Sequence, residues 1–223
     1  LAKIPPISVG KRATMEKKYR LVIASGNRGK IKEIGEILGK EPIPYSQLLP
    51  DLEIVEDGDS FKANAILKAR GVWEGLRKKY PGETFLVLSD DSGLVVPLLN
   101  GAPGIYSARY GGEGATDKEN RAKLIRELKK RKVTRTPAYY VASIGLATPW
   151  GVWTSHGFMY GEVIDEERGE EGFGYDFLFI PKGFDKTLGE LSPQIKNRLS
   201  HRRMGLEGIK PVLKVMEQWL GKF

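Results

Sequence analysis

From residue 19 onward, apolar runs of strand length alternate with stretches whose apolar residues recur every three or four positions. Residues 19–24 (YRLVIA) form the first run, and the next stretch gathers Ile31, Ile34, Ile37 and Leu38 on one helical face before Gly39 stops it. Residues 42–58 are proline-rich and acidic, and read as loop or irregular strand. Phe61, Ala65, Ala69 and Trp73 mark a second helix that ends at Tyr80-Pro81-Gly82. Residues 84–89 (TFLVLS) read as a buried strand running into Asp90-Asp91-Ser92-Gly93, and the glycine-rich stretch 101–114 as a loop.

Thr116 and Glu119 have capping-box spacing, opening a helix with Leu124, Ile125 and Leu128 inward. Residues 138–148 and 152–164 flank Pro149-Trp150-Gly151 as an antiparallel hairpin. A polar loop leads to a short strand at 177–180; Ser192-Pro193 starts a further helix, and the last helix buries Leu213, Met216 and Leu220. Alternating strands and helices interrupted by a hairpin predict an α/β fold with a mixed sheet. No repeat or flexible linker divides the chain, so residues 15–223 read as one domain. Met15 reads as the start of the folded unit and residues 1–14 as an extension.

Composition narrows the chemistry. The 223 residues carry no cysteine, which excludes disulfides, thiolate metal sites and thiol nucleophiles. With only two histidines, His156 and His201, any metal rests mainly on oxygen, which favours a hard cation such as Mg²⁺. Thirty-six basic against 28 acidic residues give a formal charge of +8, which suits an anionic partner or a lysine-rich solvated surface equally. There is no apolar run of the roughly 18 residues a membrane span needs, and no secretory apolar core near the first residue; the expected location is cytoplasmic.

Four segments can carry chemistry. Ser25-Gly26-Asn27-Arg28-Gly29-Lys30 joins a strand to a helix, where glycines expose backbone, the helix start offers free N–H groups and Lys30 adds a charge for a phosphate. It matches neither the P-loop nor GxGxxG; an ordinary strand–helix turn has the same ingredients. Asp90 and Asp91, with Ser92, stand at the expected strand end, where carboxylates need a cation or a helix to cap. Successive strand residues face opposite sides, so one can serve a metal while the other caps. Gly172-Phe173-Gly174-Tyr175-Asp176 offers an aromatic platform for a base or, equally, a tight strand entry. Residues 196–202 (KNRLSHR) are cationic and donor-rich. Glu56 adds acidic oxygens, Asn64 and Lys68 share one helical stripe able to face a cleft, and His156 reads as structural.

Taken in order, SGNRGK (25–30), SFKANAILKAR (60–70), SDDSGL (89–94), GAPGIYSARYGG (101–112), GFGYD (172–176) and KNRLSHR (196–202) resemble the inosine/xanthosine triphosphate pyrophosphatase family. The chain departs from the family pattern at Ala63, Phe177 and Gly189. The resemblance implies an elongated α/β fold, with a long mixed twisted β-sheet flanked by helices and two lobes with an active-site cleft between them, usually as a homodimer. It implies Mg²⁺-dependent hydrolysis, with Mn²⁺ as a substitute, of ITP, dITP and XTP to the monophosphate and pyrophosphate.

By motif, Lys30, Lys68 and Lys196 would grip the triphosphate beside the Ser25-Gly26-Asn27 backbone and Ser92. Glu56 and Asp91 would hold the metal with Asp90 in support, and Asp91 would accept the proton of the attacking water. Phe173 would stack on the base within Gly174 and Tyr175, with Asp176, Ser200, His201 and Arg202 at its edge. The expected partner is a nucleoside triphosphate, not a nucleic acid or a membrane. Two other readings compete: a Maf-like pyrophosphatase acting on dTTP or UTP, and a basic nucleic-acid-binding module without catalysis.

Overall fold

The computed structural model describes residues 19–220; the expected extension at 1–14 and the start at Met15 lie outside them. Six strands form one sheet in the order β2-β1-β3-β4-β5-β6: β1 (Arg20–Ala24), β2 (Ile43–Pro44), β3 (Phe85–Val95), β4 (Arg135–Thr148), β5 (Gly151–Ile164) and β6 (Phe179–Pro181). β1 runs parallel to β2 and β3, and every later pairing is antiparallel. The mixed sheet is therefore as expected, with α1 (Arg28–Leu38), α2 (Phe61–Lys79), α3 (Asp117–Lys130), α4 (Pro193–Leu199) and α5 (His201–Leu220) flanking it.

The helices begin where local chemistry places them. Asn27, Ser60 and Thr116 each accept a backbone N–H from three residues on, and Glu119 completes the capping box at Thr116. Gly39 ends α1 in the left-handed region. The apolar interior divides into three clusters. One joins α1 and α5 to the sheet through Ile34, Ile144 and Leu206; a second places α2 on the sheet through Val72 and Leu76. The third gathers Leu94, Leu124, Tyr140, Val163 and Phe179 around α3 and the far ends of β3, β4 and β5.

The main correction concerns β3. Instead of ending at Ser89, it continues through Asp90-Asp91-Ser92-Gly93 to Val95, so the two aspartates lie inside the sheet and cap no helix. β1 releases β3 at Ser89, while β4 pairs with it as far as Val95. β6 is shifted to residues 179–181, residues 104–109 within the glycine-rich loop form 3-10 turns, and KNRLSHR is split between α4 and α5 at Ser200. β4 begins early, at Arg135: its Pro137 sits where β4 pairs only with β5, so the missing N–H breaks no ladder.

Candidate active site

The first turn of α5 is seated on β5 by absence of side chains. A Cβ on Gly157 would overlap the His201 carbonyl and the Gly205 amide, and one on Gly205 would crowd Ile144. Ser155 Oγ donates to the Gly205 carbonyl at 2.6 Å. This close approach brings His201 and Arg202 over β3 and β4, where both are buried. The His201 ring stacks on Tyr140 at 4.8 Å between centroids, 14° from parallel.

Asp90 and Asp91 face opposite sides of β3, as strand alternation requires, and each has its own cations. On one side, Asp90 Oδ2 lies 2.9 Å from Lys30 Nζ and 3.3 Å from Arg202 Nε, and accepts from Ser92 Oγ at 3.0 Å. Burial opposes ionisation of Asp90, but Lys30 and Arg202 outweigh it and hold the carboxyl well below the usual range. Arg202 in turn donates to Glu33 and, at 3.0 Å, to Ser92 Oγ; despite burial, Asp90 and Glu33 keep it charged.

On the other side, Lys68 Nζ stands 2.8 Å from Asp91 Oδ1 and 3.3 Å from Glu56 Oε2. One ammonium thus joins two carboxylates from distant stretches of chain. Burial pushes the Asp91 carboxyl up against the pull of Lys68. Burial works the other way on Lys68, but Asp91 and Glu56 override it and hold the ammonium protonated. Asp90 Oδ1 and Asp91 Oδ2 are both buried without a hydrogen-bond partner among the described residues.

A cavity of about 380 Å³ opens on the Asp90 side, lined by α1, the starts of α4 and α5, Ser92 and the loop 171–176. It lies where the α1–α5 cluster meets the α3 cluster, since Tyr140, Met159, Tyr175 and Leu188 also line it. Among the anticipated residues, Asn27, Lys30, Ser92, Phe173, Gly174, Tyr175, Asp176, Lys196, Ser200, His201 and Arg202 line this cavity. Glu56, Lys68 and Asp91 do not; they form the cluster on the opposite face of β3. Ser25 and Gly26 precede α1, and a Cβ on Gly26 would meet nothing within 4 Å, so its backbone stays open to a ligand.

Lys196 pairs with Asp176 at 2.7 Å, beside the aromatic loop. Burial raises the Asp176 carboxyl, opposed by Lys196. Burial also pushes His201 well down, aided by Arg202, so the ring is neutral, and its Nδ1 has no hydrogen-bond partner among the described residues. Asn64 does not face the cleft: its Oδ1 accepts from the Gly58 amide. His156 is exposed, 3.2 Å from Ser143 Oγ, and away from the cavity.

Glu33 was not legible as a site residue. It accepts from Ser200 Oγ and Arg202, tying α1 to the α4–α5 turn. The only sequence signal was its spacing of three from Lys30, which puts both on one helical face. Arg121 and Asp117 of α3, which hold the Gly174 peptide, were also missed.

A sequence model of the Ham1 family matches residues 21–212. A protein of Nautilia profundicola named dITP/XTP pyrophosphatase is 57% identical over 196 residues, covering 87% of this chain and 97% of that protein. A protein of the same name from Sulfurovum sp. is 51% identical over 198 residues, covering 89% and 95%. Among solved structures, the Staphylococcus aureus Ham1 protein superposes with a TM-score of 0.76 at 39% identity, covering 88% of this chain and 99% of that one. A HAM1 protein from Coxiella burnetii gives 0.75 at 36%, covering 88% and 98%.

Proposed function

The chain belongs to the Ham1 family, and on that premise we propose that it hydrolyses non-standard purine nucleoside triphosphates, ITP, dITP and XTP, to the monophosphate and pyrophosphate. One observation carries the reading: buried carboxylates on both faces of β3 are each neutralised by lysine, Asp90 by Lys30 beside a cavity lined by an aromatic and a neutral histidine, and Asp91 by Lys68 on the opposite face. A triphosphate needs several cations around the bond that breaks, and Lys30, Lys68 and Lys196 supply them from three helices.

The residues fit a hard divalent cation. Glu56 and Asp91 present oxygen only, converge on one ammonium, and Asp91 Oδ2 is buried without a hydrogen-bond partner among the described residues. We assign these two as its ligands with Asp90 in support. Bound there, Mg²⁺ would neutralise phosphate charge and polarise a phosphoryl oxygen. Asp91 accepts the proton of the attacking water, the role a carboxylate beside the nucleophile serves.

Base choice rests on donors and acceptors. Hypoxanthine and xanthine present an oxygen at position 6, where adenine presents an amino group. Arg202 Nη1 donates to Glu33 and Nη2 to Ser92 Oγ, while Nε faces Asp90 at 3.3 Å, so each Nη keeps a second N–H for that oxygen. An adenine amino group there leaves donors facing donors, at roughly 1–3 kcal/mol per unpaired group. Phe173, two-fifths exposed, supplies the stacking face.

The deciding experiment is a nucleotide panel assayed for pyrophosphate with Mg²⁺ and with EDTA. The proposal expects ITP, dITP and XTP to be cleaved to monophosphate only with metal. Release of orthophosphate, or a preference for dTTP or UTP as the Maf-like reading expects, rejects it. Subunit association, expected to be dimeric, is read by light scattering on the same sample.

A further inference from the structure

The loop between β5 and β6 carries Phe173 and Asp176, yet the Phe173 ring is too exposed for its own packing to fix it. The neighbouring residue is held instead. Gly174 has φ 57°, in the left-handed region, and both of its backbone groups are taken by one helix. Its N–H donates to Asp117 Oδ2 at 2.8 Å, and its carbonyl accepts from Arg121 Nη1 at 2.9 Å. Asp117 and Arg121 are four residues apart on α3, hence on one face a turn apart. α3 is anchored to the third core cluster by the fully buried Leu124 and Leu128.

Arg121 does more than donate once. It is 8% exposed and permanently charged, so it needs compensation on all sides. Its Nε lies 3.0 Å from Glu167 Oε1, its Nη2 donates to Glu167 Oε2 at 3.3 Å, and its guanidinium lies over the Phe177 ring at 4.4 Å. A single side chain therefore fastens residues 167, 174 and 177, three points along one connection. A planar fork with a stacking face can do this and an ammonium cannot.

We infer that Arg121 and Asp117 are positioning residues that hold Gly174 between them and so set where Phe173 stacks on the purine. The inference rests on the proposed function only in taking Phe173 as the stacking residue. Neither α3 residue touches Lys30, Lys68 or Asp91 through any hydrogen bond or ion pair among the described residues, so the effect falls on the base and not on the phosphates. Stacking is present before and during the reaction alike, so its loss raises KM and leaves kcat nearly unchanged.

The test compares two ligands in Arg121→Ala: α,β-imido-ITP, whose scissile bridge is nitrogen, and tripolyphosphate, which has no base. The imido analogue should bind about tenfold or more weakly, the factor one hydrogen bond to a charged group is worth, while tripolyphosphate affinity stays within about twofold, inside the ordinary spread of surface substitutions. KM for ITP should rise in parallel. Unchanged affinity for the imido analogue, or an equal loss for tripolyphosphate, overturns the inference. Should Arg121→Ala fail to fold, the pair Asp117→Ala and Asp117→Asn decides. Asparagine keeps an acceptor for the Gly174 N–H and should restore the affinity that alanine loses, and failure to restore it overturns the inference. If the unaltered protein releases no pyrophosphate from ITP, the proposed function fails, while the affinity ratio still judges the α3 clamp.

Discussion

Lys68→Met removes the one ammonium that joins Asp91 to Glu56 while keeping a side chain of similar length. At 2.8 Å and an effective dielectric of about 20, the Asp91 contact is worth about 6 kcal/mol of Coulomb attraction before desolvation is subtracted. Glu56 is 37% exposed, and its share is screened to roughly 0–1 kcal/mol. Removing one partner of a buried pair leaves the other uncompensated, so the expected net loss at pH 8 is about 3–5 kcal/mol.

The pH dependence has a definite sign. In the variant burial still raises the Asp91 carboxyl, with Lys30 lowering it and Glu56 raising it by smaller amounts, so without Lys68 it rises further above the ordinary aspartate value than in the parent. A group whose folded pKa is raised contributes its stability in full below the unfolded pKa and loses it as pH rises through the folded one. The deficit of Lys68→Met therefore grows from pH 5 to pH 8. Urea unfolding at both pH values reads it as a shift of midpoint at constant slope. In parallel, kcat/KM for ITP should fall about 10²-fold or more, as when one preorganised cation or donor is removed from a site. A variant as stable as the parent at pH 8, or one whose deficit grows toward pH 5, refutes the electrostatic account of this cluster.

On the opposite face of β3, Asp90→Asn should cost about 3–5 kcal/mol at neutral pH, because Lys30 and Arg202 lose a buried counter-charge. Since the Asp90 pKa is depressed, its stabilising contribution persists above the ordinary aspartate range and is lost only as pH falls through the depressed value; equal parent–variant differences at pH 7 and pH 5 check this. Gly172→Ala places a Cβ on Asp176 Oδ2 and Lys196 Nζ at φ 113°, so the ion pair must part and the backbone strain. Chemical denaturation should show a loss of about 1–3 kcal/mol, and a fully stable variant with parental KM for ITP contradicts the crowding. Mg²⁺ at a hundredfold excess over its Kd should raise the melting temperature by on the order of 5–10 °C, and Asp91→Asn should remove most of that rise. A flat melting temperature in the parent argues against the assigned ligands.

Much of this arrangement was readable from local pattern, and the rest was hidden for a specific reason. Periodicity located β1, α1, α2, α3 and the β4–β5 hairpin, because each buries one face and carries its own start and stop residues. It failed at β3, where two adjacent aspartates read as the end of a strand. A central strand tolerates them only because Lys30 and Arg202 arrive on one face and Lys68 on the other, and those cations come from α1, α5 and α2. Residue order reveals such long-range compensation only when several motifs are read together.

The same reasoning separates the site residues that sequence could name from those it could not. Asp90, Asp91 and Lys30 are conspicuous because charge next to a glycine turn or an apolar run is locally unfavourable and asks for an explanation, whereas Lys68 and Lys196 stood out only as part of a helical stripe with Asn64 and of a cationic run. Glu33, Asp117 and Arg121 lie on amphipathic helices where a polar residue is the ordinary occupant, so nothing local distinguishes them. Their importance arises only after packing: Glu33 meets Ser200 and Arg202 across 167 and 169 residues of chain, and Arg121 meets Gly174 across 53. Residues that oppose their local setting are thus the ones that sequence exposes as chemistry, and residues that agree with it are free to position that chemistry unnoticed. On this argument, substitutions at Glu33 and Arg121 should disturb nucleotide binding while leaving the helicity of α1 and α3 intact, which far-ultraviolet circular dichroism of the variants measures directly.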